Sequence, residues 1–221
     1  MVTTTTENGE AHQLNALTKL VNALSNNDLT IGEMNNVYRV QAIMYKDKKT
    51  EALSLYPGAG RWNGREIEIA MSYVAITDKA ALIEALFHAD DAQDYKQERF
   101  FSDKTLKPRE MVEITFEKSI RLINVTALLP KLRLSLQDLV GDGCYNITQT
   151  LTDALYAKFG QDFDGIIYSS RWSGQQLDCA AIWRHPTIKT SKQTELIEYE
   201  NGSQDVYDIL CDDLGFDLTK D

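Results

Sequence analysis

The sequence predicts a single α+β domain. Strand-like and helix-like segments alternate irregularly instead of as repeated βα units, no composition break or low-complexity linker divides residues 30–190, and no internal repeat is present. With 221 residues, 43% hydrophobic and 25% charged, a chain of this size buries roughly 70% of its unfolded surface in one core.

Residues 1–12 are polar and Thr-rich and are expected to be disordered. From Leu14, the apolar residues Leu17, Leu20, Val21 and Leu24 recur at helical spacing and stop at Ser25-Asn26-Asn27, so an amphipathic helix precedes the main body. Residues 37–44 read as a strand, followed by the Lys-rich stretch 46–50 and a Pro/Gly loop at 56–60. Residues 66–76 read as a second strand, and Thr77-Asp78 offer an N-cap for a helix through Ala80, Leu82, Ile83, Leu86 and Phe87. Strands at 111–116 and 120–125 come next, then a mixed stretch at 128–140 and the turn Gly141-Asp142-Gly143. A helix through Ile147, Leu151, Ala154 and Leu155 ends near Gly160, and residues 163–168 and 179–183 read as late strands separated by the polar loop 169–176. The chain divides into an N-terminal extension with a helix (1–34), a main domain (35–190) and an acidic C-terminal segment (191–221).

The formal net charge is −10, and residues 194–221 carry −8 of it, with nine acids against one base. This tail is expected to form a solvated helix around Val206, Ile209 and Leu210. Broad nucleic-acid binding needs clustered Lys and Arg and is not expected, although a nearly neutral body can hold a local cationic pocket. No run approaches the roughly 18–20 apolar residues of a membrane helix, and the first residues lack a basic and an apolar signal region, so a cytoplasmic protein without a membrane partner is expected. Cys144, Cys179 and Cys211 lack CxxC spacing and fit a reducing compartment. His12, His88 and His185 stand apart from them, so no metal site is expected.

The densest glycine cluster, Gly58-Ala59-Gly60-Arg61-Trp62-Asn63-Gly64, has GxGxxxG spacing with no helix after it, which excludes a Rossmann fingerprint. No P-loop, zincin, α/β-hydrolase or EF-hand pattern occurs. Arg39 lies in an otherwise apolar strand and Arg61 follows the glycine loop beside Trp62; a planar guanidinium suits phosphate oxygens and aromatic faces. Strand alternation alone places Arg39 on a solvent face instead. Glu84 sits in the apolar helix segment ALIEALFH and shares a face with His88, either as an acid/base pair or as an ordinary surface pair.

In order along the chain, VYRV (Arg39), GRWN (Arg61), YVAIT (Tyr73), ALIEALFH (Glu84), NITQ (146–149), FDGIIYSSR (163–171) and CAAIW (179–183) resemble the RES-domain family over about residues 36–184. That family, named for Arg, Glu and Ser, includes toxins of bacterial toxin–antitoxin modules. The resemblance implies a fold like that of the ADP-ribosyltransferases, with a mixed or split β-sheet flanked by helices. It implies a site that binds NAD+ and breaks its bond to nicotinamide, by hydrolysis or by phosphorolysis with inorganic phosphate as co-substrate. Transfer of ADP-ribose to a protein target is the alternative enzyme, and a non-catalytic nucleotide-binding or interaction module the alternative outside enzymes.

By carry-over, Arg39, Tyr73 and Glu84 are the catalytic residues, and Arg61, Trp62, Asn63, Asn146, Thr148, Gln149 and Ser170 contact NAD+. The residue types suit the reaction. Cleaving a pyridinium N-glycoside develops an oxocarbenium ion that a carboxylate stabilises, while arginines bind the pyrophosphate or an attacking phosphate. No cofactor beyond NAD+ as substrate and no metal is implied. Asn146 stands where the family carries a serine three residues before Gln149, with Thr148 the nearest hydroxyl; a second family serine is matched by Ser170, preceded by Ser169 in place of proline. A toxin of this type implies an antitoxin or other regulatory partner, and the N-terminal helix and acidic tail are expected to contact such a partner, a second copy or the domain itself.

Overall fold

The structure, a computed structural model, describes residues 4–43, 52–87, 100–141, 143–170 and 178–219. Met44, the Lys-rich stretch 46–50, His88, Asp142 and residues 171–176 lie outside the described residues. The elements in chain order are α1 (Thr4–Ala23), β1 (Ile31–Ala42), β2 (Ser72–Ala75), α2 (Asp78–Phe87), β3 (Phe100–Phe101), α3 (Asp103–Leu106), β4 (Arg109–Asn124), α4 (Val125–Leu132), α5 (Leu136–Val140), α6 (Tyr145–Phe159), β5 (Gly165–Tyr168), β6 (Cys179–Ile182), β7 (Ile188–Glu195), β8 (Glu200–Asn201), β9 (Gln204–Asp205), α7 (Val206–Asp208) and β10 (Asp217–Leu218). The α+β expectation holds.

Six strands form one mixed sheet in the order β1-β2-β6-β5-β4-β7, and a further β1–β4 pairing closes the first five into a ring. The β4–β5 pair is parallel and the others are antiparallel. Alternation along β4 sends Val112, Ile114, Phe116, Ile120 and Leu122 into one apolar cluster with residues from β1, β2, β5 and β6. On β1, Met34 and Val37 both join that cluster although they are an odd number of residues apart. A bulge between Met34 and Asn36 absorbs the extra residue and returns Val37 to the inner face. A Cβ on Gly32 would stand 2.9 Å from Ile167 Cγ2, so glycine lets β1 pass close to β5.

Three expectations change. The two strands expected at 111–116 and 120–125 are one strand, β4, in which the exposed residues Glu117, Lys118 and Ser119 bulge out without ending the ladder; Val125 already belongs to α4, which Asn124 caps by accepting from Ala127 N at 3.0 Å. The strand expected over 66–76 shrinks to β2, because Asp153 of α6 takes the N–H groups of Arg65, Glu66 and Ile67 that a neighbouring strand would otherwise use. The N-terminal helix begins at Thr4, inside the stretch expected to be disordered. Leu17, Val21 and Leu24 anchor it in the second, larger core beside α6, and Lys158 of α6 donates to the carbonyls of Asn22 and Leu24 at its C-terminal end.

Residues 188–219 are woven into the body. β7 pairs with β4 along residues 188–195, and the apolar residues of the expected tail helix, Val206, Ile209 and Leu210, are fully buried. No helix among the described residues is long and apolar enough to cross a membrane.

Phe116 is 1% exposed inside the strand ring. Phe116→Ala is expected to lower stability by about 3–5 kcal/mol, read from the shift of the urea midpoint, because the closed sheet cannot collapse onto the vacated volume.

Candidate active site

α2 starts where sequence chemistry places it: Thr77 Oγ1 accepts from Ala80 N at 3.1 Å. Its first residue, Asp78, is buried and accepts from Tyr199 Oη (3.2 Å) and Asn201 Nδ2 (2.8 Å), which ties the helix to the C-terminal segment. Ala81, Glu84 and Ala85, spaced by three and four residues, form one stripe of α2 that walls a cavity of about 320 Å³. The opposing walls come from Tyr38, Arg39 and Val40 of β1, Tyr73 of β2, Tyr168 of β5, Cys179 of β6, Tyr145 of α6, and Gly60 and Arg61 of the glycine loop. The four predicted residues Arg39, Arg61, Tyr73 and Glu84 thus meet around one space.

Their situations differ. Arg39 is half-buried, so the solvent-face reading does not hold; its Nη1 donates to Ser72 Oγ (2.6 Å) and Ser54 O (3.3 Å), and its guanidinium lies 5.9 Å from the Tyr56 ring centroid. Arg61 is 7% exposed, with its guanidinium 4.8 Å from the Tyr168 ring centroid and 5.5 Å from that of Trp62. Its buried Nη1 has no hydrogen-bond partner. A desolvated cationic donor without an acceptor is costly unless a ligand supplies one. The Glu84 carboxylate accepts a hydrogen bond from Ser170 Oγ, and Ser170 N donates to Asp178 Oδ1 at 2.7 Å.

Burial sets the local chemistry first, and neighbouring charges modify it. Burial first, and then the Glu84 carboxylate, push the Tyr168 phenol well above its ordinary range, while the Arg61 guanidinium opposes the shift. Burial, followed by the Glu84 and Asp178 carboxylates, pushes the Cys179 thiol up strongly, which favours its neutral form in the cavity wall. Burial raises Tyr73 to about 12.

The remaining predicted residues support the walls more than they form them. Tyr73 Oη accepts from Trp62 N (3.1 Å) and donates to Asn63 Oδ1 (2.9 Å), and Asn63 Nδ2 donates to Ile69 O (3.1 Å). Trp62 and Asn63 are 1% and 3% exposed and stand behind the loop, away from the cavity wall. Gln149 Nε2 donates to the carbonyls of Ala59 (3.3 Å) and Gly60 (3.1 Å), holding the loop instead of facing the cavity. Thr148 is fully buried and returns its hydroxyl to Cys144 O (3.0 Å) one turn back, as helical Thr commonly does. Asn146 is exposed and donates to the Glu10 carboxylate of α1, so neither it nor Thr148 lines the cavity. The segment 146–149 starts α6, and the helical twist turns Thr148 away from the face that Asn146 and Gln149 share. Tyr38, Tyr145, Tyr168 and Cys179 were not anticipated as wall residues. Tyr168 carried a usable signal, an aromatic ending a buried strand directly before Ser169-Ser170. Among the described residues no group of three or more His, Cys, Asp or Glu could hold a metal ion.

The family model described as the RES domain matches residues 36–201, about three quarters of the chain. The chain belongs to the RES-domain family. This RES domain contains Arg39, Arg61, Tyr73, Glu84 and Ser170, and its match ends within β8, beyond the 184 reached by the sequence motifs. No curated protein matches the chain. Among solved structures, a chain of the crystal structure of the M. tuberculosis MbcT-MbcA toxin-antitoxin complex is similar at a TM-score of 0.55 and 17% identity, over 81% of this chain and 92% of that one. That likeness shows a shared fold.

Tyr73→Phe removes a hydroxyl that serves both Trp62 N and Asn63 Oδ1, and a loss of about 1–3 kcal/mol is expected in urea unfolding at neutral pH. Because the folded value of about 12 lies above the ordinary 10.0, the unfolded state ionises first as pH rises. Below pH 10 this group contributes its full share, and between 10 and about 12 the wild type loses stability on the order of 2 kcal/mol that Tyr73→Phe does not lose. Unfolding curves of the two proteins across that range check the difference.

Proposed function

We propose that this protein is a toxin enzyme that degrades NAD+ by cleaving the bond between nicotinamide and ribose. The observation that carries this reading is one cavity with a carboxylate, Glu84, on one wall and a buried guanidinium with an unpartnered donor, Arg61, on another. A ligand matched to it bears an electron-poor, hydroxyl-rich portion for Glu84 and an anionic portion for Arg61. The tyrosine-lined walls suit a planar base. Membership of the RES family supports the NAD-acting toxin class.

In the reaction the C1′–N bond breaks and its electron pair goes to the pyridinium nitrogen, which leaves as neutral nicotinamide. Positive charge develops on the ribose ring, where the Glu84 carboxylate stabilises it. In hydrolysis an oxygen of water bonds C1′ and releases a proton to solvent; in phosphorolysis an anionic oxygen of inorganic phosphate bonds C1′ with no proton to lose. Ser170, hydrogen-bonded to Glu84, holds that carboxylate in place. Arg61 binds the pyrophosphate and Arg39 the same group or an incoming phosphate. The reaction needs no metal, since the leaving group is already cationic. The toxin-antitoxin complex named for the similar structure supports a neutralising protein partner for this chain as well.

Incubating the purified protein with NAD+, with and without inorganic phosphate, and following nicotinamide and the ribose product by chromatography tests the reading. Phosphate-dependent release identifies a phosphorylase and phosphate-independent release a glycohydrolase. No release from folded protein overturns degradation in favour of ADP-ribose transfer to a protein or simple nucleotide binding. Glu84→Gln is expected to cut turnover by at least about 100-fold with an unchanged far-ultraviolet circular dichroism spectrum, as loss of electrostatic stabilisation does elsewhere. Arg61→Ala is expected to weaken NAD+ binding by about 10- to 100-fold in calorimetry, the value of charge-assisted hydrogen bonds.

A further inference from the structure

The loop that carries Arg61 makes almost no ladder contacts. Between the end of β1 and the start of β2 its one β-contact among the described residues is the isolated bridge Tyr56–Met71. Besides the Tyr73 hydroxyl, which holds Trp62 N and Asn63 Oδ1, α6 restrains it on both sides of Arg61. Gln149 and Asp153 are four residues apart on that helix and therefore on one face. Gln149 donates to the carbonyls of Ala59 and Gly60, just before Arg61. One turn later, Asp153 accepts from three backbone N–H groups just after it: Arg65 (3.0 Å) and Glu66 (2.8 Å) on Oδ2, and Ile67 (3.2 Å) on Oδ1.

The two side chains are complementary to what they hold, a donor on the carbonyl side and a double acceptor on the amide side. The loop is also built for the approach. A Cβ on Gly64 would stand 2.4 Å from Asp153 Oδ1 and 2.1 Å from Ile67 O, so only glycine brings the backbone this near. Between the two anchors Arg61 is wedged against Tyr168 and Trp62 with its buried Nη1 unpartnered. Burying a guanidinium with a donor left over is unfavourable and needs outside restraint. The clamp from α6 supplies it.

We infer that Asp153, with Gln149, is a positioning residue that presents Arg61 to an anionic group of the substrate; the substrate half of this inference rests on the NAD+ reading above. Asp153 touches no reacting atom. It acts through Arg61, so its loss weakens binding of a remote part of the substrate and leaves the chemical step nearly unchanged.

Asp153→Asn keeps the shape but turns one acceptor into a donor that opposes a backbone N–H. With the full-length protein and NAD+, KM is expected to rise about tenfold or more while kcat stays within about threefold, the pattern of lost uniform binding. In an Arg61→Ala background the same substitution is expected to raise KM no further, because both changes remove one interaction. A folded Asp153→Asn with unchanged KM, or a full multiplication of the two effects in the double variant, overturns the inference. Should Asp153→Asn fail to fold, Gln149→Met carries the same double-variant test from the other side of the loop, with the same outcomes deciding. A second readout needs no NAD+: modification of Arg61 by phenylglyoxal, located by peptide mass spectrometry, is expected to be slow in the wild type and about tenfold faster in Asp153→Asn. Equal protection in both overturns the clamp. A wild type that neither turns over nor binds NAD+ overturns the substrate reading instead, and the labelling result then decides the clamp by itself.

Discussion

The pairing of β1 with β4 is the constraint on which the rest of the structure depends. It runs in two stretches around a bulge, from Ile31–Ile123 to Ala42–Arg109, and it converts an open sheet into a ring. Both edges of β4 are thereby paired over most of its length, by β1 on one side and by β7 and β5 on the other, while β1 meets β2 at Tyr38–Ala75 and β7 is left as the outer strand. It also fixes which faces are inside. The side chains of one parity on β4 fill the ring, while Met111 and Ile123, of the other parity, join the outer core beneath the helices. The candidate active-site cavity lies on this outer side, where β1, β2, β5 and β6 present Tyr38, Tyr73, Tyr168 and Cys179 to α2.

On that platform the two charged ends of the site are brought in by separate devices. Glu84 arrives on a helix whose start is capped by Thr77 and tied through Asp78 to Tyr199 and Asn201. Arg61 arrives on an irregular loop clamped by α6 and by the Tyr73–Asn63–Trp62 hydrogen bonds. A cation and an anion held on different elements face a common cavity, an arrangement that suits a ligand with complementary charge at its two ends. The C-terminal segment belongs to this scaffold. Its acidic charge lies largely on the surface, while Leu196, Tyr199, Val206, Ile209 and Leu210 complete the core that supports α2 and β4.

Much of the candidate site was legible in the sequence, because unusual residue types in ordered company carry information that periodicity lacks. An arginine inside an apolar strand, GRWN after a glycine loop and a glutamate inside an apolar helix led to Arg39, Arg61 and Glu84, and those residues do share a cavity with Tyr73. Legibility failed where partners are distant in the chain. Gln149 has the donor groups of a ligand-binding residue, yet two loop carbonyls 89 and 90 positions away in sequence take them. Asn146 and Thr148 sit beside it in the motif, but a helix turns adjacent residues about 100° apart, sending one to α1 and the other to its own preceding turn. The 66–76 stretch shows the same limit, since its strand-like pattern is overridden by one carboxylate on α6.

The sequence by itself determined the α+β class, most of the helices and strands, the family, and several residues that line the cavity, because local propensity, apolar spacing and short motifs are properties of neighbouring residues. Only the tertiary structure decided that β4 is a single bent strand, that the ring closes, that the acidic tail's apolar residues are core, and that Ser170 rests on Glu84 while Arg61 keeps a buried donor unpartnered. Each of these depends on which distant group occupies a hydrogen bond or a face. That competition is settled when elements pack, and it leaves no trace in the spacing of residues along the chain.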